Sequence, residues 1–334
     1  MNAHVLAKIP NKSKREYIRH YEQMLLIRKC EESFVAPIMD EQIRCPVHLY
    51  SGQEATAVGL SAHLGPHDLI FGNHRSHGHY LAKGGDLYSM IAEIYCREDG
   101  CAKGRGGSMH VIDKAVGMLG AAPIVAGTVS LALGAALVLK NKKKRNVAIT
   151  YFGDGATGEG VLFEAMNFAA MRKLPIIFIC ENNLYSTHLP ISETRPKTPI
   201  HHLGKSFGIT SFSVGGNNLL DTLKYGKMAV DLCRAGKGPV FLEMKTYRYR
   251  GHVGPNDNIQ GTQTDIRPQA EIEYWKRRDP ITKFAKVLLS GGIVTKEELK
   301  RIESAVDKRI LAAHQKAASS PRPSPEELTK YVFK

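Results

Sequence analysis

Three apolar segments that alternate with helical segments constrain the fold of this chain most strongly. VAITYF occupies residues 147–152, PIIFICE residues 175–181 and PVFLEMK residues 239–245. The intervening sequence predicts helices over 159–172 and 219–236. Strands that are apolar throughout are typical of a parallel sheet covered by helices on both faces. We therefore predict an α/β fold built on a mainly parallel sheet.

Polar residues follow the first two of these strands. Asp154 stands between Gly153 and Gly155, and Asn183 follows the next strand. Ligands bind at the carboxyl ends of strands in such sheets, and flanking glycines let the backbone turn sharply and approach a bulky ligand. A helix beginning just beyond directs free N–H groups at the same space. The pattern suits a diphosphate held with Mg²⁺, whose ligands would be the Asp154 carboxylate, the Asn183 amide oxygen and the Tyr185 backbone carbonyl.

An ordinary turn is the alternative interpretation of this motif. A Gly-Asp-Gly sequence on its own is more often a turn than a binding site. Its pairing with Asn183 across a strand–helix–strand unit is much more specific, and it favours the ligand-binding interpretation.

Helix signals predict further elements outside the sheet. Apolar periodicity predicts a helix over 14–39 that ends near Pro37, and a helix over 86–96 with Asp86 as its N-cap. Thr295 begins a capping-box sequence, which predicts a C-terminal helix ending near Ser319. The other predicted elements are a helix through Val58 and His63, a glycine-rich loop over 100–110, and a linker with a short turn over 319–328.

A nearly uncharged stretch over 121–139 leaves two interpretations open. Its length, and the basic sequence KNKKKR that follows it, resemble a membrane span with a positively charged flank. However, Pro123, Gly127 and Gly134 interrupt the apolar run. We therefore favour a buried helix over 128–141, in which small residues allow close packing on a neighbouring backbone.

Composition restricts the partners and the location of the chain. The formal net charge of +14 favours acidic partners. Lysines and arginines are scattered and form no recognisable nucleic-acid-binding motif, so nucleic-acid binding is the weaker alternative. None of the six cysteines forms a CxxC pair, and the first residues lack the apolar core of a signal peptide. We expect reduced thiols in a cytoplasm, with neither a membrane nor a nucleic acid as partner.

Several longer segments carry a resemblance to a known family. They are HLYSGQEA (48–55), HRSHGHYLAKGG (74–85), GCAKGRGGSMH (100–110), FGDGATGEG (152–160), KLPIIFICENNLY (173–185) and TYRYRGH (246–252). With these segments the chain resembles, from about residue 20 to residue 330, the α subunit of the decarboxylating component of 2-oxo acid dehydrogenase complexes, of the pyruvate or acetoin dehydrogenase type. The resemblance implies a thiamine-diphosphate-binding fold, with thiamine diphosphate and Mg²⁺ as cofactors.

The resemblance also implies roles for five polar residues. His48 and His252 match the catalytic histidines near the thiazolium ring, where a group that titrates near neutrality can exchange protons. Arg75 matches the arginine that pairs with the diphosphate, and Arg248 matches a residue near it. His74 is a cofactor contact at a position where pyruvate enzymes usually have tyrosine, whereas acetoin-type enzymes have histidine.

Backbone contacts to the cofactor are implied as well. Pro123 and Val125 match residues that contact the aminopyrimidine. Ile124 between them either braces the cofactor or belongs to the ordinary core, and the sequence does not decide. The remaining implied cofactor contacts are Gly153, Asp154, Gly155, Ala156, Asn183 and His252.

The function implied by the resemblance is oxidative decarboxylation of pyruvate or a close analogue, with transfer of the acyl group to lipoamide. The alternative is an acetoin dehydrogenase or a specialised acyloin-forming enzyme. In this family a glutamate from a separate β subunit activates the aminopyrimidine, and this sequence contains no motif for it. We therefore expect an α₂β₂ heterotetramer that meets the lipoyl domain of an acyltransferase core or another acidic carrier.

Two further expectations concern organisation and regulation. We expect a helical extension over 1–40, a cofactor-binding domain over 41–290, and a C-terminal helix and tail over 291–334. Val253 stands where the mitochondrial pattern has its first phosphorylated serine, so that switch is expected to be absent. The unusual sequence over 253–265 leaves the acyl donor open.

Overall fold

The fold is organised around a parallel sheet. The computed structural model describes residues 13–254 and 267–330. The strands in these residues are β1 (Leu69–Gly72), β2 (Met118–Ala121), β3 (Ala148–Gly153), β4 (Ile176–Asn182), β5 (Tyr185–Ser186), β6 (Leu189–Pro190), β7 (Thr210–Gly215) and β8 (Val240–Lys245). Six of them form one sheet in the order β2–β1–β3–β4–β8–β7, with every pair parallel. The short strands β5 and β6 pair antiparallel.

Helices connect the strands and cover the sheet. They are α1 (Lys14–Ser33), α2 (Val35–Met39), α3 (Glu54–Ser61), α4 (His77–Lys83), α5 (Leu87–Ile94), α6 (Gly127–Asn141), α7 (Gly160–Met171), α8 (Ile191–Thr194), α9 (His202–Ser206), α10 (Leu219–Arg234), α11 (Gln269–Lys276), α12 (Pro280–Ser290) and α13 (Lys296–Ser319). Short 3₁₀ turns lie at Gly107–Met109, Lys114–Val116, Asp154–Gly158 and Pro325–Thr329.

Alternate residues of the central strands enter two separate hydrophobic cores. In β4, Ile177 and Ile179 pack with residues of α3 and α10, whereas Phe178 and Cys180 pack with residues of α6 and α7. Both faces of the sheet are therefore buried, which is why these strands are apolar throughout rather than at every second position. The predicted α/β fold, with a parallel sheet flanked by helices on both faces, is confirmed.

The sequence identified only the most apolar strands. The runs at 147–152, 175–181 and 239–245 form β3, β4 and β8, each within one residue of the predicted bounds. Strands β1, β2 and β7 were not predicted. The first two span only four residues each, and β7, TSFSVG, is a polar edge strand with an incompletely buried surface. Their pairing with the central strands, rather than their composition, makes them strands.

The single helix predicted over 14–39 is broken into α1 and α2. Pro37 explains the break, because a proline has no N–H to donate to the carbonyl of Ser33 and its ring crowds that carbonyl. Accordingly, α1 ends at Ser33. The predicted N-cap Asp86 is confirmed, since its side chain accepts a hydrogen bond from the Ser89 N–H at 2.8 Å.

Helix α6 is less buried than expected. Val129 and Ala132 are buried, but Leu131 and Val138 remain 58% and 49% exposed, so the expectation of a buried helix is wrong for one face. The membrane alternative has no structural support: over 13–254 and 267–330, every helix is too short or too polar to cross a bilayer.

Some expectations concern residues that the structure does not describe. Residues 1–12 of the expected helical extension and residues 255–266 of the loop after Val253 lie outside the described residues. The expected division into three segments stays a prediction. Residues of α1, of the sheet and of α13 all contribute to one hydrophobic core.

Helix α13 packs on α1 and α5 through a polar contact as well as an apolar one. Its capping box is present as predicted, with Thr295 and Glu298 each accepting a backbone N–H from the other. Near its end, Nε2 of His314 lies 2.8 Å from Ser33 Oγ and Nδ1 lies 3.1 Å from Tyr95 Oη. Burial lowers the pKa of His314 to about 4, so the ring is neutral at physiological pH.

We expect protonation of His314 to weaken the docking of α13. Because its folded pKa lies below the unfolded value of about 6.5, the stabilisation is complete above that value and is lost as pH falls towards 4. In His314→Gln, which keeps polar atoms but does not titrate, the free energy of unfolding should depend less on pH over this interval. Urea unfolding followed by circular dichroism measures it, and parallel pH profiles for the two proteins would contradict the assignment.

Candidate active site

The carboxyl ends of β1, β3 and β4 open into a cleft of about 210 Å³. Apart from Asp154, every site residue predicted from the sequence lines this cleft, although these residues come from segments far apart in the chain. The predicted residues in the lining are His48, His74, Arg75, Pro123, Val125, Gly153, Gly155, Ala156, Asn183, Tyr185, Arg248 and His252.

Asp154 lies just beneath the cleft, at the end of β3. Its side chain is buried, and Oδ1 accepts a hydrogen bond from the Asn183 N–H at 3.3 Å. Oδ2 is buried and has no hydrogen-bond partner among the described residues. Burial raises the pKa of this carboxyl to about 6. A buried carboxylate with an unpartnered oxygen is costly unless a cation or a donor joins it, so the position suits a metal ligand.

Asn183 and Tyr185 continue the chain from β4 past Asp154. Asn183 Oδ1 accepts a 3.3 Å hydrogen bond from the Tyr185 N–H, while its Nδ2 donates to Gln53 Oε1 at 3.3 Å. Leu184 between them has φ 74°, in the left-handed region that a leucine rarely adopts. Strain of this kind costs about 1–3 kcal/mol and occurs at functional sites. The Tyr185 hydroxyl donates a hydrogen bond to Glu271 Oε2 at 3.0 Å.

The glycines on either side of Asp154 provide space rather than an unusual backbone conformation. Gly153 has φ −82° and ψ 171°, values that other residues also adopt, so the expected sharp turn does not require glycine there. A Cβ at Gly153 would have no atom within 4 Å, whereas a Cβ at Gly155 would lie 2.3 Å from Ser186 Oγ. Side chains at these positions would fill the cleft or displace Ser186.

Two buried arginines bring positive charge to the cleft. Arg75 donates to the carbonyls of Leu49 at 2.6 Å and His252 at 2.9 Å. Arg248 donates to the Thr187 carbonyl at 2.7 Å, and its Nη1 lies 3.3 Å from His252 Nδ1. Burial lowers the pKa of Arg75 to about 10, which still leaves it charged at neutral pH. Guanidinium groups fixed in this way suit the oxygens of a phosphate.

Three histidine rings lie together at the same cleft. The ring centroids of His48 and His74 are 4.7 Å apart, and those of His48 and His252 are 5.1 Å apart. Burial, with the nearby Arg75 charge, lowers the pKa of His48 to about 3 and those of His74 and His252 to about 2. Burial and the neighbouring charges therefore place the pKa values of His48 and His252 below the near-neutral values expected for them. Both rings are neutral at physiological pH.

Two polar residues of the site were not predicted from the sequence. Gln53 and Glu181 line the cleft. Glu181 is buried and accepts hydrogen bonds from Tyr50 Oη and, at 3.1 Å, from His79 Nε2. These residues lie inside segments that carried the family resemblance, and a glutamate within an apolar strand was a signal in itself. His188, which nothing in the sequence singled out, has its ring centroid 6.0 Å from that of His252.

The segment before α6 forms an exposed apolar edge of the cleft. Ile124 is 73% exposed and Val125 is 48% exposed, so the interpretation of Ile124 as ordinary core is wrong. Both line the cleft together with Pro123. The chain then enters α6 through Ala126, which has φ 57°.

We expect Asp154→Asn to stabilise the protein in the absence of added ligands. Because burial raises the folded pKa of Asp154 to about 6, its charge costs free energy as pH rises through that value, by up to ~3 kcal/mol at pH 8. Thermal unfolding at pH 8 should show a higher Tm for the variant, and a smaller gain at pH 5. The exposed Asp231→Asn serves as the control, and an equal effect in both variants would contradict the assignment.

Comparison with known proteins assigns the chain to a family. The dehydrogenase E1 component family model matches residues 22–326. The chain is 37% identical over 317 residues to the α subunit of the pyruvate dehydrogenase E1 component of Rhizobium meliloti (strain 1021), covering 95% of this chain and 89% of that protein. It is 36% identical over 322 residues to the testis-specific mitochondrial form of that subunit from Rattus norvegicus, covering 96% and 80%.

A relative named for a different activity is equally similar. The α subunit of acetoin:2,6-dichlorophenolindophenol oxidoreductase of Bacillus subtilis (strain 168) is 36% identical over 313 residues, covering 94% of this chain and 92% of that protein. The two groups of relatives share the family but not the substrate. The chain therefore belongs to the dehydrogenase E1 component family, whose members use thiamine diphosphate.

Proposed function

We propose that this chain is the α subunit of a 2-oxo acid dehydrogenase that decarboxylates pyruvate or a close analogue and passes the acyl group to lipoamide. The observation that carries the proposal is the buried Asp154 carboxylate with its unpartnered oxygen, next to Asn183 and beneath a cleft lined by two buried arginines. This arrangement provides oxygen ligands for a hard cation beside guanidinium donors for phosphate oxygens. The pyruvate dehydrogenase relatives support the substrate class.

Mg²⁺ would be held by the Asp154 carboxylate, the Asn183 amide oxygen and the Tyr185 backbone carbonyl. The residues fit such an ion because, among the described residues, one Asp154 carboxylate oxygen has no partner and the Asn183 amide oxygen accepts only a long hydrogen bond of 3.3 Å. Mg²⁺ prefers few protein ligands, all oxygen, together with phosphate oxygens. The ion would also offset the cost of the buried Asp154 charge.

The diphosphate of the cofactor would be bound by Arg75 and Arg248, with His74 beside them. Gly155 and Ala156, in the turn after β3, would approach it through their backbone. Both arginines are held by backbone carbonyls, so little side-chain entropy remains to be lost on binding. Pro123 and Val125 would contact the aminopyrimidine from the exposed edge of the cleft.

Thiamine diphosphate, when bound, supplies the nucleophile and the electron sink for the loss of CO₂. His48 and His252 would orient the substrate and hold a proton at a ring nitrogen. As neutral rings, each can donate from one nitrogen and accept at the other. An anionic cofactor nearby would raise their pKa values towards neutrality.

A β subunit would complete the site in an α₂β₂ heterotetramer. The relatives are named as α subunits, which implies a second kind of subunit. The sequence also contains no motif for the glutamate that, in this family, the β subunit supplies to activate the aminopyrimidine. Exposed apolar side chains at Ile124 and Val125, and at Leu131 on α6, would offer such a partner apolar surface. The net charge of +14 would steer an acidic lipoyl domain to the complex. All six cysteines are free thiols, which supports our proposal of a reducing compartment such as a cytoplasm.

Acetoin is the second candidate substrate. His74 occupies a position where the pyruvate enzymes usually have tyrosine, and it lies against His48, a proposed catalytic residue. The acetoin oxidoreductase relative is as similar to the chain as the mitochondrial pyruvate dehydrogenase subunit is.

We expect the chain to be active only together with its β partner. The two chains should be co-expressed, supplied with Mg²⁺ and thiamine diphosphate, and assayed with pyruvate, longer 2-oxo acids and acetoin, using an artificial electron acceptor. Turnover of pyruvate or a homologue supports the main proposal, and preferential turnover of acetoin supports the second. Full activity of the α chain alone, or no turnover of any of these compounds by the complex, would overturn both.

Asp154→Ala should abolish Mg²⁺-dependent cofactor binding. Removing the carboxylate should weaken thiamine diphosphate binding by about 100-fold or more, measured by isothermal titration calorimetry of the complex with and without Mg²⁺. Asp231→Ala is the matched control, because this exposed residue of α10 does not line the cleft and forms a surface salt bridge with Lys227. Unchanged affinity in Asp154→Ala would remove the metal assignment.

A further inference from the structure

The histidine rings at the cleft form a potential metal site that the proposed function does not use. One nitrogen from each of His48, His74 and His252 lies within 4.8 Å of the other two. Over 13–254 and 267–330, no other three histidine, cysteine or acidic residues meet this condition. We propose that these three rings form a second metal site, which binds a borderline divalent transition-metal ion such as Zn²⁺ through three imidazole nitrogens.

The geometry requires only small side-chain rotations. In a tetrahedral zinc site the Zn–N distances are about 2.0–2.1 Å, so three nitrogens on one ion lie about 3.3 Å apart. Nitrogens within 4.8 Å of one another would each move by about 1 Å or less to reach that spacing. The three rings come from different segments of the chain, so no shared backbone segment determines their mutual orientation. Such a site has an open fourth position for water or another ligand.

The ligand type favours such an ion. A neutral imidazole has one nitrogen lone pair to offer, and in His252 Nδ1 lies 3.3 Å from Arg248 Nη1, so a metal ion bound through Nδ1 would replace that contact. Nδ1 of His48 is buried and has no hydrogen-bond partner among the described residues. Imidazole ligands suit Zn²⁺, Cu²⁺, Ni²⁺ and Co²⁺, whereas Mg²⁺ requires oxygen ligands. Arg75 and Arg248 oppose a bare cation, so we expect an anion, such as hydroxide or chloride, at the open position.

Occupation of this site would block the enzyme. His48 and His252 are the rings proposed to contact the substrate, and a metal ion between them would fill that space and engage their lone pairs. The proposed Mg²⁺ ligands Asp154 and Asn183 are a separate, oxygen-based set. Zn²⁺ should therefore inhibit without displacing Mg²⁺, and this consequence, unlike the binding itself, rests on the proposed function.

Co²⁺ provides a direct test of binding, because its d–d absorption in the visible range is strong only in low-coordinate sites. The α₂β₂ complex, stripped of metals and free of thiamine diphosphate, is titrated with Co²⁺. We expect one equivalent per α chain with tetrahedral-type absorption, which Zn²⁺ displaces and millimolar Mg²⁺ does not. Absence of this absorption, or its loss on addition of Mg²⁺, would overturn the proposal.

Matched variants assign the ligands. His74→Phe, which keeps an aromatic ring without a ligand atom, and His48→Gln should each weaken Co²⁺ binding by about tenfold or more. The exposed His67→Ala should bind as the parent protein does. Circular dichroism verifies that each variant is folded, and two ligand variants guard against loss of one of them to misfolding. Unchanged binding in both folded ligand variants would overturn the proposal.

A kinetic measurement separates this site from the Mg²⁺ site. One equivalent of Zn²⁺ should inhibit the complex loaded with Mg²⁺ and thiamine diphosphate, and a zinc-selective chelator should restore activity. If additional Mg²⁺ alone relieves the inhibition, Zn²⁺ acts at Asp154 and the proposed inhibition is wrong. If the complex has no activity with any substrate, the proposed function fails, while the Co²⁺ titration still decides whether the site exists.

Discussion

The pairing of β3 with β4 is the constraint on which the site depends. Parallel pairing sets Gly153 opposite Glu181, and the next residues bring the Asp154 carboxylate to the Asn183 N–H. Both strands are buried on both faces, so neither can shift its register without moving apolar side chains between two cores. The protein can therefore hold a buried carboxylate with an unpartnered oxygen at a fixed point, which an isolated turn could not do.

The electrostatics of the cleft follow from burial around this point. Two guanidinium groups are held against backbone carbonyls, and the histidine rings next to them are kept neutral by burial and by the Arg75 charge. The same rings are thereby suited to two kinds of chemistry, hydrogen bonding to a substrate and coordination of a transition metal. Which one occurs depends on what enters the cleft, because neutral imidazole serves both.

The sequence predicted best those elements whose residues carry a local signal. The continuous apolar runs of β3, β4 and β8 and the caps at Asp86 and Thr295 are local features, and all are confirmed. Short strands β1 and β2 have no such signal, because their partners in the sheet define them. The exposure of Ile124 is likewise decided by the path of the chain into α6, which its own apolar character does not reveal.

The sequence by itself determined the fold class, the family and the two strand ends that meet at Asp154 and Asn183. These features depend on strand periodicity and on motifs whose residues are close together in the chain. Only the tertiary structure decided the distances among His48, His74 and His252 and the neutral state of their rings. Spacing in the chain does not determine distances between loops, and a pKa depends on burial and neighbouring charges that exist only once the distant segments have packed together.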